Sequence, residues 1–253
     1  MQNIFNLIKE AKNEQLEKSI IKSSEFIKDK KTLVLGFSNR WGGGGVSKDT
    51  PKTEIVGKYL AECGGKGSSF MDVFNMKIYP CEANISRSEG NSCGVKDSLL
   101  KDRDKNPSGY HRCWASINNK DDELWKISKA IFDADVVIFV SPVRWGQACA
   151  TYQKLIERLS WLENRHTTLE ETNVLAKKAS GFICIGHNWN GTEVLATQKR
   201  VLSFFGFDVR DEISWNWQWT SDEKEESKDG YKKDYMYFHE HIVKLTIKNT
   251  ENY

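Results

Sequence analysis

The sequence predicts an α/β protein built on a parallel sheet covered on both faces by helices. Three observations carry this. Leu33-Val34-Leu35-Gly36-Phe37 and Val136-Val137-Ile138-Phe139-Val140 are short uninterrupted apolar runs, as expected of strands buried on both faces. Between and after them, apolar residues recur at helical spacing, as in Ile55, Val56, Tyr59, Leu60 and in Leu155, Ile156, Leu159, Leu162. Strand, helix and strand follow one another at the spacing of βαβ units, whose crossovers are right-handed.

Composition agrees with this class and narrows the partners. A chain of 253 residues, 39% hydrophobic and with nine tryptophans, can bury a substantial core and is too apolar to be disordered. Lys and Arg number 37 against 35 Asp and Glu, a net charge of +2 without the basic excess of a nucleic-acid binder, so no nucleic-acid partner is expected. No apolar run approaches the ~18 residues of a membrane span, and charges throughout residues 1–31 argue against a signal peptide. The expectation is a cytoplasmic protein with no membrane partner. Six cysteines without close pairing read as reduced thiols or ligands rather than a disulfide framework.

Along the chain, residues 1–30 read as an N-terminal helical extension preceding the core fold, with Ile4, Leu7, Ile8, Ala11, Ile20 and Ile27 at helical spacing. The main domain spans 31–220. It opens with the strand 33–37, a glycine-rich loop, and a helix that takes Pro51 into its first turn. A more polar second strand covers 68–75. Residues 78–122 form an irregular insertion, too long for an ordinary connection. A helix through Leu124, Ile127, Ile131 and Phe132 leads into the strand 136–140, which ends at Ser141-Pro142. A helix from Gln147 to Leu162, a strand over 181–185, a loop over 186–191 and a helix over 192–204 complete the rhythm. Trp215, Trp217 and Trp219 alternate with polar residues, which puts three indoles on one face of an edge strand packed on the core or on another subunit. A lid over a flat aromatic substrate is the sharper alternative. Residues 221–253 read as a helical tail, with a solvated mixed-charge loop at 224–233; His239-Glu240-His241 lacks zinc-helix spacing and receives no chemistry.

In parallel sheets, ligands sit beyond the carboxyl ends of the strands, which selects the loops 38–53, 142–147 and 187–191. In the first, Ser38, Asn39, Arg40, Ser47, Thr50 and Thr53 gather where backbone N–H groups and a helix dipole favour an anion. The same hydroxyls could serve only as helix N-caps; Arg40 tilts the reading to phosphate. Neither a Walker pattern nor the glycine fingerprint of dinucleotide folds is present, and hydroxyls with amides suit a terminal monophosphate such as that of FMN.

With its strand, Gly36-x-Ser38-x-Arg40, hydroxyl-led helix, and later strand followed by Ser141-Pro142-Val143-Arg144-Trp145-Gly146, the chain resembles the flavodoxin-like NADPH-dependent FMN reductase family over about residues 31–209. The resemblance implies a flavodoxin-like, doubly wound, five-stranded parallel sheet that binds FMN and takes NADPH or NADH as co-substrate. It assigns Ser38, Arg40, Ser47, Thr50 and Thr53 to the phosphate, and Pro142, Val143, Arg144, Trp145, Gly146 and Gln147 to the ring. Asn188, Trp189, Asn190 and Gly191 fall to the ring's far edge. Arg144, Trp145 and His187 are the candidates for tuning the flavin or touching substrate. A salt bridge, an oligomer contact and a loop cap are their respective bland readings. The implied activity is reduction of a small acceptor (a quinone, nitro compound, dye or free flavin) by a homodimer or homotetramer.

Two departures bear on function. Gly42 to Gly45 lengthen the phosphate loop. Ile78-Tyr79-Pro80-Cys81-Glu82-Ala83 is similar to the start of the iron–sulfur flavoprotein motif, but Asn84 and Arg87 stand where the next close cysteines would fall. A cluster needs about four thiolates. Cys93 and Cys113 follow within the insertion, and His111 could add a fourth ligand. A cluster-free relative with no metal site is expected; an electron carrier using Cys81, Cys93 and Cys113 is the alternative, and a cofactor-free interaction protein a third reading.

Overall fold

The computed structural model describes residues 4–38, 50–82, 86–87, 90–91, 93–186 and 190–218. In chain order these form α1 (Ile4–Ala11), α2 (Glu14–Ile27), β1 (Thr32–Gly36), α3 (Lys52–Cys63), β2 (Ser69–Asp72), β3 (Ser86–Arg87), β4 (Gly90–Asn91), α4 (Trp114–Asn118), α5 (Leu124–Asp133), β5 (Val136–Arg144), β6 (Gln147–Ala148), α6 (Ala150–Thr167), β7 (Ala179–Gly186), α7 (Gly191–Phe204), β8 (Asp208–Val209) and β9 (Trp215–Gln218). The tail 221–253 lies outside the described residues.

The main sheet runs in the order β2-β1-β5-β7-β8, every neighbouring pair parallel, with β9 also parallel to β7. Counting only the five strands on that path, the order is 2-1-3-4-5, the flavodoxin-like doubly wound arrangement. Seven strands belong to the sheet rather than five, for two reasons. The last position is shared by β8 and β9, which pair with successive parts of β7 and are separated by the single turn Asp211–Ile213. The turn is held close: a Cβ on Gly181 would stand 2.1 Å from the Ile213 carbonyl oxygen. The other addition, β6, folds back antiparallel onto the end of β5.

Side chains alternate along the strands into two cores, as a period of two demands. Leu33, Leu35, Val137, Phe139, Phe182 and Cys184 face α5, α6 and α7, where Phe37, Phe139 and Phe182 surround the Tyr152 ring. Val34, Val136, Ile138, Val140, Ile183 and Ile185 face α3 together with α1 and α2. The N-terminal segment is therefore a layer of the core: Leu16, Ile20 and Ile27 are buried beside Val34 and Trp215. Its hydrophobic stripe meets the sheet after a tight turn into β1, and Asn13 caps α2 by accepting from Leu16 N at 2.8 Å.

Three boundaries differ from the periodicity. Pro51 sits at the N-cap of α3, one position before the first turn. The strand at 136 runs through Ser141-Pro142 to Arg144. Val140 presents its carbonyl to Phe37 N on the β1 side, so Pro142, two residues on, turns its missing N–H to the side where β1 has already ended. Gln147 begins β6, and the helix expected there starts at Ala150.

The insertion is anchored on α6 by a buried guanidinium. Arg158 is fully buried; its Nη1 donates to Tyr79 O at 2.7 Å and Asp122 Oδ1 at 2.9 Å, its Nη2 to Asp122 Oδ2 at 2.9 Å and Ser116 Oγ at 3.0 Å, with Cys113 Sγ at 3.4 Å. The bidentate pair holds the Asp122 carboxyl below its ordinary range against the opposing effect of burial. Further along α6, Asn164 donates to Cys93 O, and Glu171 joins Arg112 and Arg165.

Replacing Arg158 with Met strands the Asp122 carboxylate in the core and is expected to cost about 3–5 kcal/mol in denaturant unfolding. The double replacement Arg158→Met with Asp122→Leu should recover much of that loss. Stability should also fall in acid through His111, whose burial against Trp161 lowers its pKa to about 3. A depressed folded pKa favours the neutral ring, so its contribution is complete above the unfolded value of about 6.5 and lost as pH drops toward 3. The unfolding midpoint should decline across that window, and the decline should flatten in His111→Gln.

Candidate functional site

The parallel register delivers three strand ends to one edge of the sheet. Gly36 pairs with Val140 and Pro142 with Ile185, so the chain leaving β1, β5 and β7 emerges side by side. Ser38 and Thr50 are half-buried at the two ends of the first loop. Thr53, in the first turn of α3, is 3% exposed, and its Oγ1 has no hydrogen-bond partner. No side chain caps α3, whose N-cap is Pro51, so the N-cap reading of the hydroxyls does not hold for Thr50 or Thr53. A buried orphan hydroxyl at the positive end of a helix is a donor set for an anion. Arg40 and Ser47, with the Gly42 to Gly45 run, lie outside the described residues.

The second loop is a tight hairpin. Pro142 and Val143 are buried; Arg144 and Gln147 are exposed, and they pair across the turn that joins β5 to β6. The two residues between them, Trp145 and Gly146, have φ of 51° and 66°. Two left-handed central residues define the type I′ turn, which normally selects Asn-Gly or Asp-Gly. Here the first position carries a tryptophan that is 83% exposed. An indole held in the left-handed region and turned out to solvent marks stored backbone strain at a place that presents a flat aromatic surface.

The third loop is tied to the second. Asn190, itself left-handed at φ 61°, donates from Nδ2 to Gly146 O at 2.7 Å and precedes the first residue of α7, Gly191. His187, Asn188 and Trp189 fall outside the described residues. Behind this junction stand Asn216 and Gln218, which sequence reasoning passed over in favour of the tryptophans between them. A Cβ on Gly191 would lie 2.0 Å from Asn216 Oδ1 and 2.1 Å from Gln218 Nε2, so a larger residue there would have to displace both carboxamides. Ser141 and Cys149 were also missed: Cys149 Sγ donates to Phe37 O at 3.1 Å and its N–H to Ser141 Oγ at 3.5 Å, joining the ends of β1 and β5 to the start of α6. Their signal in sequence is only their position after apolar runs.

Trp215 and Trp217 do not reach the loops. They are buried against α2, with Trp215 Nε1 donating to Ser23 Oγ at 2.9 Å, which agrees with the edge-strand reading; Trp219 lies outside the described residues. Within the insertion, Cys93 and Cys113 are buried and Cys81 half-buried, and burial with the neighbouring thiols pushes Cys93 up to about 12. Among the described residues no group of three or more His, Cys, Asp or Glu side chains is placed to hold a metal ion. His111 turns Nδ1 to Ser128 Oγ at 2.8 Å instead.

An α/β sheet of this order, with its polar loops at the carboxyl ends of the strands, defines a flavodoxin-like ligand-binding protein. The family model described as NADPH-dependent FMN reductase matches residues 89–220, just over half of the chain. The chain belongs to that family, and it is a flavin-dependent NAD(P)H oxidoreductase. The match takes in β5, β7 and β9 but begins after β1 and α3. No curated protein matches the chain. Among solved structures, RosB with a bound 8-demethyl-8-formylriboflavin-5'-phosphate intermediate is similar at 15% identity and TM-score 0.49, over 76% of this chain; this chain spans 66% of RosB. An azoreductase from Bacillus anthracis is similar at 13% identity and TM-score 0.47, over 79% of this chain and 91% of its own. The Trp repressor binding protein from Bacillus subtilis shows 14% identity and TM-score 0.43, over 76% and 89%. Among the described residues no helix is long and apolar enough to cross a membrane.

The strain at Trp145 gives a direct expectation. Trp145→Asn or Trp145→Gly should raise unfolding stability by about 1 kcal/mol, the cost of one left-handed non-glycine residue. A loss of stability in both variants would show that the indole is held by packing rather than exposed at a cost.

Proposed function

We propose that the three loops hold FMN and that the enzyme reduces a small flat acceptor, a quinone, nitro compound, dye or free flavin, at the expense of NADPH or NADH. The observation that carries this is the orphaned Thr53 hydroxyl at the uncapped start of α3, beside the end of β1. Ser38, Thr50 and Thr53, with Arg40 and Ser47, serve the phosphate. Residues 142–147 run along the ring, and 187–191 close its far edge. FMN bound there supplies hydride acceptance from the nicotinamide and delivery to the acceptor.

The protein's part is placement and electrostatics. Neither a general acid nor a general base is needed for a direct hydride transfer, in keeping with the absence of a titratable pair among the described loop residues. The Arg144 guanidinium beside the ring would stabilise negative charge on the reduced cofactor, and the exposed Trp145 indole offers a stacking face to ring or acceptor. His187 would donate to the pyrimidine edge. Asn190 keeps the ring loop and the far-edge loop at fixed separation. A homodimer or homotetramer in the cytoplasm completes the proposal; an exposed tryptophan beside the site is the kind of surface a second subunit covers.

Thr53→Val should weaken FMN binding about 10- to 100-fold, the loss of one hydrogen bond to a charged group, while the unfolding transition of the apoprotein stays in place. An unchanged FMN Kd, read by quenching of flavin fluorescence, would remove Thr53 from the phosphate site. Anaerobic addition of NADPH to the purified yellow protein should bleach the flavin bands, and a quinone should restore them. A protein that takes up no FMN sinks the proposal.

A further inference from the structure

Gly186 ends β7 level with Gln218 at the end of β9, and Val143 of β5 follows the pair Pro142 and Ile185 at the same edge. Gln218 turns its side chain to the α7 side of the sheet, away from the face on which Trp215 and Trp217 are buried. Its carboxamide occupies room that two glycines leave open. A Cβ on Gly186 would stand 2.6 Å from Gln218 Oε1 and 3.0 Å from Val143 Cβ, and one on Gly191 would stand 2.1 Å from Gln218 Nε2. One side chain thus lies between the two ends of the far-edge loop and beside the ring loop.

The two polar atoms of that carboxamide are used unequally. Nε2 donates to Asn216 Oδ1, whereas Oε1 is buried and has no partner. An acceptor left unsatisfied in this way costs about 1–3 kcal/mol, so its persistence calls for a reason. Gln218 as a residue is only half-buried, which puts this oxygen just inside the surface rather than in the core. The start of α7 lies next to it. Asn190, the N-cap, makes no side-chain cap bond there and donates instead to Gly146 O. The junction therefore sets one acceptor, Gln218 Oε1, beside the backbone N–H donors of a helix start.

We propose that Gln218 Oε1 accepts the imide N–H of the flavin's pyrimidine ring, and so selects for a ring that carries that hydrogen. The inference rests on the assignment of FMN to the three loops and adds to it the residue that reads the ring's far edge. An imide presents an N–H between two carbonyls, so a protein that binds it needs an acceptor set beside donors. Gln218 supplies the acceptor and the first N–H groups of α7 the donors. Asn216 cannot take the same part, because its Oδ1 is already engaged by Gln218. A carboxamide also brings no charge to the ring, so the contact leaves the electrostatic tuning to Arg144.

The test compares FMN with 3-methyl-FMN, in which a methyl group replaces that hydrogen, by fluorescence titration of the full chain stripped of flavin. The wild type should bind the methylated flavin about 10- to 100-fold more weakly, because the methyl removes the hydrogen bond and leaves Oε1 unpaired. Gln218→Ala, which removes the oxygen and shortens the side chain, should bind both flavins alike. Gln218→Glu keeps an acceptor and should keep the preference. Equal binding of the two flavins by the wild type overturns the proposal, and this comparison needs no variant to fold. A preference that survives in Gln218→Ala also overturns it, since it would belong to a steric wall elsewhere. So does a preference lost in Gln218→Glu as well, which would trace it to the bond from Nε2. In each of these cases tight binding of FMN leaves the cofactor assignment intact, whereas a wild type that binds neither flavin removes that assignment and this proposal together.

Discussion

The parallel hydrogen-bond register across β1, β5 and β7 is the constraint on which the rest of this molecule depends. Because Gly36, Val140 and Ile183 lie level in that ladder, three otherwise unrelated loops leave the sheet at one edge. A shift by one residue would exchange the two cores, sending Leu35 and Phe139 to the face of α3 and Val34 and Ile138 to the face of α6. The register is therefore protected from both sides by packing. The site inherits that rigidity while being built from loops.

Backbone strain and an unsatisfied hydroxyl meet where the ladder stops. Pro142 closes the pairing on the β1 side, Trp145 and Asn190 are held left-handed, and Thr53 buries a hydroxyl without a partner. Each of these is unfavourable by itself, and all lie at the carboxyl edge of the sheet, where an α/β fold places its ligands. The Asn190 bond to Gly146 O makes the two strained turns one unit, so a movement of the far-edge loop is felt at the hairpin that carries Trp145.

The remaining irregular chain is held by different means. The described residues of 78–122 contain little regular structure, yet Ile78, Cys93, Cys113 and Ala115 join the main core because Arg158 gathers Tyr79, Ser116 and Asp122 around one buried charge. A buried ion pair of this kind contributes little net stability over an apolar replacement, but removing one partner is severe. It acts as a locator for the insertion on α6. Cys93 lies near the thiols of Cys81 and Cys113 in this packing, and burial together with those neighbours raises its pKa.

The short apolar runs and helical stripes were enough to determine the α/β class, the parallel sheet and the three loops, because strands buried on two faces read as short uninterrupted apolar runs and here they alternate with amphipathic helices. Tertiary structure decided what depends on distant partners. The Trp145-Gly146 hairpin carries no usual turn signal, so β6 was legible only once Arg144 was seen paired with Gln147. The first thirty residues announced amphipathic helices but not that the sheet's second face needs them, since an apolar stripe does not name the surface it will cover. Asn216 and Gln218 were hidden by the tryptophans they alternate with; their importance comes from Gly191, 25 residues or so earlier in the chain, having no side chain to fill the same space. Local sequence encodes which residues are buried and at what period, whereas closeness between residues far apart in the chain exists only after the core has closed.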